Sequence, residues 1–354
     1  MRRARAQFVI CACHFSLGHD REALRALEEA TREGDLPPDG AYQVYQLAVR
    51  HFTSQGRWAQ ALDACARAEQ APGLGSRARL LRADAEWQRG EYGRAARAVE
   101  QGLALEPAER VRVELFLQRA LVERELGRLD AALNLLQEAE AVPTPAPLDD
   151  VNIERGWTLA MRGQADEALE ALAERLRVNT HAARMKLLRE IGTLSFLRGH
   201  LNRAHDCFQQ VLLNLPRSSV GMRLACALDL GLALLALGEE ARAREQFQEA
   251  AANPARALSK TLAQRFLDWR EGEPLPEPPE PGRDCAWMQR PLYFYYLGEF
   301  AYLSRRREEA VRGLHRAVIE APSPYRHAAW MAALRLGQLG ETVPGGAPSF
   351  VPLE

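Results

Sequence analysis

The sequence predicts an all-α chain of stacked helical hairpins, and three observations carry that reading. First, a phrase of glycine followed five residues later by alanine recurs along the chain. It stands at Gly18–Ala23, Gly56–Ala61, Gly90–Ala95, Gly127–Ala132, Gly163–Ala168, Gly199–Ala204 and Gly238–Ala243, with glycines 38, 34, 37, 36, 36 and 39 residues apart. Second, apolar residues three and four apart fill the stretches on both sides of each glycine, the spacing of an amphipathic helix. Third, alanine and leucine dominate the apolar set while Val, Ile and Thr are scarce, a mix that favours helix over strand.

Each unit reads as a helix, a turn at the glycine, and a second helix. Glycine closes the first helix because it takes the left-handed conformation at little cost. Proline follows the second, at Pro72, Pro107, Pro143, Pro216 and Pro254, because it cannot continue a helix. After Gly238 the pattern changes. A turn glycine is due near Gly272, and Ala257–Trp269 before it reads as a first helix. The segment after it, Glu273 to Pro281, carries five prolines and cannot be helical. The eighth unit therefore keeps its first helix and replaces the second with an acidic, extended segment. A last hairpin turns at Arg305, and a closing helix runs from Tyr325 to Leu336. The expected organisation is repeats over 1–272, a Pro-rich linker over 273–284, a final hairpin and capping helix over 285–338, and a frayed tail over 339–354. The apolar stripes cannot be buried within one hairpin, so the units must stack.

These residues resemble the tetratricopeptide repeat (TPR) family, which alternates small and large residues at set positions. The last hairpin matches best, with Phe294, Leu297, Gly298, Ala301, Ala310, Leu314, Ala317 and Pro322. Gly192, Ala204, Phe208 and Pro216 repeat the pattern, as do Leu230, Gly231, Ala243, Phe247 and Ala250, and Ala83, Tyr92, Ala95 and Pro107. Departures are Arg305 at a turn glycine, and Gly102 and Arg175 at a usual alanine. The resemblance spans residues 4–338. It implies an α-α superhelical solenoid of about nine hairpins with a C-terminal capping helix, its inner wall made by the first helix of each pair. The long spacing is similar to the sensor arrays of bacterial maltose-activator-type regulators.

The chemistry is sparse. Forty-six basic residues face 47 acidic ones, which argues against a nucleic-acid partner held by excess positive charge. No apolar run is long enough to span a membrane. The phosphate-loop, dinucleotide, zinc-protease and serine-hydrolase motifs are absent, so neither enzyme activity nor a cofactor is expected. Cys11, Cys13 and His14 come nearest to a metal cluster, but Cys11 takes a small-residue packing position. Six scattered cysteines suit a reducing cytoplasm.

The functional candidates are the inner-wall positions that the family register assigns: Arg50, Asp84, Trp87, Leu121, Arg124, Trp157, Arg189, Phe196, Tyr295, Glu299 and Tyr302. Aromatic residues and arginines dominate protein-binding hot spots. A one-residue register error turns a helical position by about 100°, so each candidate is either groove or core. The lysine and asparagine set with which some family members grip terminal carboxylates is absent. The expected function is a non-enzymatic scaffold that binds another protein, through an amphipathic helix or an extended segment with acidic groups. The alternative is a sensor array of a bacterial regulator, detached or continued upstream of Met1; an enzyme built on the solenoid ranks last. The tail or the Pro-rich linker is a candidate to occupy the groove in cis.

Overall fold

The computed structural model describes residues 2–17, 19–32, 38–144, 148–177, 180–254, 258–270, 273–279, 286, 289–323 and 326–344. Among them are eighteen α-helices and no strand. In order they are α1 (Arg2–Leu17), α2 (Asp20–Arg32), α3 (Pro38–Ser54), α4 (Trp58–Gln70), α5 (Gly75–Arg89), α6 (Tyr92–Leu103), α7 (Glu109–Glu125), α8 (Leu129–Ala141) and α9 (Asp149–Met161). They continue as α10 (Ala165–Arg175), α11 (His181–Leu197), α12 (Leu201–Asn214), α13 (Val220–Ala236), α14 (Glu240–Ala252), α15 (Leu258–Asp268), α16 (Arg290–Leu303), α17 (Arg307–Ile319) and α18 (His327–Gln338).

The chain divides into two compact units: residues 1–123 with 137–146, and residues 124–136 with 147–354. In unit 1, hairpins α1–α2 and α3–α4 and helix α5 share a core that includes Phe15, Leu27, Val44, Phe52 and Leu74, and α5, α6 and α7 meet in a smaller cluster around Ala83, Val99 and Leu115. Phe15 meets Phe52 edge-on at 5.7 Å. Asp20 fixes this packing at its rim, accepting from Arg57 and lying 2.8 Å from His51 Nε2. Unit 2 holds one continuous core from Trp157 to Leu336.

The turn glycines behave as the spacing requires. Gly56, Gly90, Gly127, Gly163, Gly199 and Gly238 all have φ between +70° and +93°, and Arg305 adopts the same region at +61°. Gly18 and Gly272 lie outside the described residues. Small-against-large packing also holds. A Cβ added at Gly231 would lie 2.2 Å from Phe247 Cε1, and one at Gly192 would lie 2.6 Å from Phe208 Cε1. Glycine therefore lets each aromatic ring lie directly on the facing helix backbone.

After α15, residues 273–279 carry no helix. They are tied to the last hairpin, where Tyr293 Oη donates to the Glu277 carbonyl at 3.1 Å and Arg316 pairs with the Glu277 carboxylate. Residues 280–284 of the linker and 345–354 of the tail lie outside the described residues, as does Tyr325; the closing helix is described from His327.

Candidate partner-binding faces

In unit 2 the chain covers its own first helices. Helix α18 lies against α16 through Arg335, whose Nε and Nη2 donate to the two carboxylate oxygens of Glu299 at 2.8 and 3.0 Å. The same guanidinium stands 4.6 Å from the centre of the Tyr302 ring. At the other end of α18, His327 stacks on Trp157 of α9 at 4.5 Å, and Trp330 meets that indole edge-on at 6.2 Å. The indole N–H donates to Glu190 of α11 at 2.9 Å.

Beside this stack is a buried charge cluster. Arg124 pairs with Glu154, and its Nη1 lies 3.0 Å from His327 Nε2. Glu125 lies 3.2 Å from Arg326 Nε, and its main-chain carbonyl accepts from Ser323 Oγ at 2.8 Å. Burial works against the charge on Glu154, but Arg124 and His327 outweigh it and lower the carboxyl to about 2. Burial likewise opposes the charge on Arg124, and Glu154 and Glu125 hold it firmly protonated. A second polar chain crosses three first helices: Arg189 Nε donates to Asp229 Oδ2 at 3.0 Å, and Tyr296 Oη donates to Asp229 Oδ1 at 2.5 Å. Burial first, then Asp229, pushes the Tyr296 phenol well up.

Unit 1 presents its first helices differently. A cleft of about 540 Å³ runs across α3, α5 and α7. Its floor includes Leu80, Leu81, Val111 and Leu117; its polar lining includes Tyr42, Gln43, Gln46, Arg77, Asp84, Glu114 and Gln118. Arg77 pairs with Asp39 and lies over Tyr42, and Arg110 Nε reaches Glu114 at 3.2 Å. Burial, then the Glu114 and Asp84 carboxylates, pushes the Tyr42 phenol up to about 12.

Of the eleven candidates, Arg124, Trp157, Phe196, Tyr295 and Glu299 are buried, all in unit 2. Arg189 and Tyr302 are partly covered there. In unit 1, Arg50 is exposed, while Asp84, Trp87 and Leu121 are half-buried. Asp84 lies in the cleft. The sequence reading passed over Tyr42, Glu114 and Gln118. The signal for the last two was their spacing: residues 114, 117, 118 and 121 share one helical face. Cys11 is buried, and burial pushes its thiol up to about 12, as a packing residue would behave. No described helix is long and apolar enough to cross a membrane.

No protein-family model and no curated protein matches the sequence. Solved structures do match its fold. The apo form of the quorum sensor NprR from B. thuringiensis aligns with a TM-score of 0.51 at 13% identity, over 89% of this chain and 98% of that one. A chain of the APC/C hetero-tetramer Cut9–Hcn1 aligns at 0.51 and 15%, over 89% of this chain and 52% of that one. A tetratricopeptide repeat protein from Parabacteroides merdae aligns at 0.46 and 15%, over 82% and 98%. The chain is a TPR-like helical repeat protein.

Proposed function

We propose that this TPR-like chain is a non-enzymatic scaffold that binds a segment of another protein along the first helices of unit 1. One observation carries the reading. In unit 2, α18 covers Trp157 of α9 and Glu299 and Tyr302 of α16, whereas the face of α3, α5 and α7 keeps an open cleft lined by both apolar and polar side chains. Arg50, Asp84, Trp87 and Leu121 stand on that face along the same three helices, and Trp87 and Arg50 are of the residue types in which binding hot spots are rich. The free thiols of Cys11, Cys13, Cys65, Cys207 and Cys226 fit action in a reducing compartment.

The test is photo-crosslinking. A benzophenone amino acid placed at position 87 is expected to form adducts with a polypeptide in cell extract. The same group at Tyr302, beneath α18, should not. Equal adducts at both positions, or none at 87, would remove the assignment.

A second reading, a sensor array, is favoured by one finding. The quorum sensor NprR aligns over nearly its full length with this chain. Under that reading the cleft takes a signal that changes the array rather than a stable partner. A large shift in melting temperature on adding spent culture medium, with no polypeptide adduct at position 87, would favour it.

A further inference from the structure

Two faces of the chain are apolar and uncovered among the described residues, and they differ in charge. The first is on α1. Val9, Ile10 and Leu17 are 56%, 43% and 60% exposed, and Ala6 and Cys13 on the same side are exposed too. Positions 6, 10, 13 and 17 are spaced four, three and four apart, the seam along which one helix packs on another. The other side of α1 is already used, with Cys11 and Phe15 buried in the unit 1 core. Arg2 and Arg3 continue the bare stripe by register, and the helix contains no acidic residue.

The second face is in unit 2. A groove of about 280 Å³ is lined by α12, α13 and α14. Leu224, Ala227, Leu230 and Leu234 of α13 are among its apolar side chains, as is Leu213 of α12. Leu213 is 77% exposed, more than any other large hydrophobic residue described. Glu245 and Glu249 of α14 line the same groove and are exposed, and neither pairs with a cation among the described residues. Carboxylates four apart on a helix repel each other. The arginines of the groove are engaged: Arg242 pairs with Glu239, and Arg223 Nη1 donates to the main-chain carbonyls of Leu212 and Leu215 at 2.8 and 3.2 Å. The lengths agree as well. The α1 stripe runs from Ala6 to Leu17 and the α14 side of the groove from Arg242 to Asn253, each about 16 Å of helix.

The geometry points to self-association in which α1 of one copy packs its bare stripe into the α12–α14 groove of a second copy, its basic end toward Glu245 and Glu249. Charge selects this occupant. Two unpaired carboxylates repel an acidic segment or an anionic lipid surface and favour an apolar helix with a basic end, and α1 is such a helix. Pairing α1 with another α1 would cover the stripe but leave Leu213 and both carboxylates as they are. The contact joins two different surfaces, so it repeats from copy to copy rather than closing as a symmetric pair. Neither surface includes a residue lining the unit 1 cleft, so this assembly goes beyond the scaffold reading and is independent of it.

Sedimentation velocity of the full chain is the test. The mean mass should rise above that of a monomer at about 10–100 μM, the weak range of a small interface, and added salt should lower it. Val9→Glu on α1 and Leu213→Asp in the groove change exposed side chains, and each alone should weaken association at least about 10-fold. Leu17→Glu repeats the α1 arm at a second exposed position. Glu249→Lys should weaken association about 3- to 10-fold. Mixed in equal amounts, the Val9→Glu and Leu213→Asp variants should form one-to-one pairs and nothing larger, because each retains the surface that the other has lost. Circular dichroism of each variant should match that of the parent. A parent chain that stays monomeric at every concentration overturns the inference, as does a mixture that forms no pairs. Association that Val9→Glu abolishes and Leu213→Asp leaves intact assigns α1 to a second α1 and overturns it too. Binding to phosphatidylglycerol vesicles with no gain of mass in solution assigns α1 to a lipid surface, with the same consequence.

Discussion

The first helices of the two units carry similar residues and end in different situations. In unit 2, tryptophan, arginine and glutamate on first helices meet a helix from the same chain: Trp157 takes His327 and Trp330, Arg124 takes His327, and Glu299 takes Arg335. In unit 1, Tyr42, Asp84 and Gln118 line a cleft, and Arg50 is exposed. The difference shows that residue type on a repeat wall does not separate a binding face from a core. What separates them is whether some other part of the chain returns to cover the wall. The same arginine-and-aromatic chemistry that makes a hot spot between proteins makes a clasp within one.

The sharpest way to break this comparison is to remove a charge from the covered wall. Glu299 is fully buried and holds both donating faces of Arg335. Glu299→Ala leaves that guanidinium buried without its carboxylate, and unit 2 should lose about 3–5 kcal/mol. Asp39→Ala removes the exposed partner of Arg77 in unit 1 and should cost less than about 0.5 kcal/mol. Denaturant titrations of both variants give the contrast directly. Equal losses would mean that α18 is no clasp.

Acid should separate the units next. The Glu154 carboxyl is lowered in the fold from 4.5 to about 2. Its contribution is complete above the unfolded value and is lost as pH falls from 4.5 toward 2, amounting to roughly 2–4 kcal/mol. In unit 1, burial lowers the His51 imidazole below its usual 6.5, despite its hydrogen bond to Asp20 and helped by nearby Arg57. The unfolded chain then binds the proton more readily, so this contribution is full above 6.5 and is lost as pH falls through it. Fluorine NMR of 5-fluorotryptophan should show the Trp58 environment loosening at mild acidity while that of Trp157 persists to lower pH. The reverse order would contradict both assignments.

Packing offers a smaller contrast. Gly231→Ala drives a methyl group into the Phe247 ring and should destabilise unit 2 by about 1–3 kcal/mol. In unit 1 a small position is already alanine: Ala83 shares a cluster with Val99 and Leu115. Ala83→Gly should cost about 1 kcal/mol through helix propensity. Thermal melts of the two variants read the difference.

The fold was legible because it is written locally. Turn glycines, small-large pairs and terminal prolines each act within one hairpin, and a helical period spans few residues. The cover was illegible for the opposite reason. Arg124 and His327 are 203 positions apart, and no periodicity connects them. The register placed Trp157 and Glu299 on a first-helix face, but only the return path of the chain decides that this face is closed. The unit 1 cleft was half legible. Asp84 stands at a register position, whereas the burial of Gln118 is set by packing between helices that no local pattern encodes.

The smallest effect tests the local reading itself. Arg305 holds φ at +61° where the other hairpin turns have glycine. A left-handed conformation costs a side-chain-bearing residue about 1–2 kcal/mol, and glycine gives back about 0.5–1 kcal/mol of that through its freer unfolded state. Arg305→Gly should therefore stabilise unit 2 by about 0.5 kcal/mol, while Gly90→Ala in unit 1, at φ +88°, should destabilise by about 1 kcal/mol. Differential scanning calorimetry resolves both signs. The strain argument says that the turn geometry is imposed by hairpin packing and that the residue merely tolerates it. If Arg305→Gly instead lowered the melting temperature, the arginine would be supplying a contact worth more than the strain, and the departure from glycine at this turn would be a feature of the last hairpin.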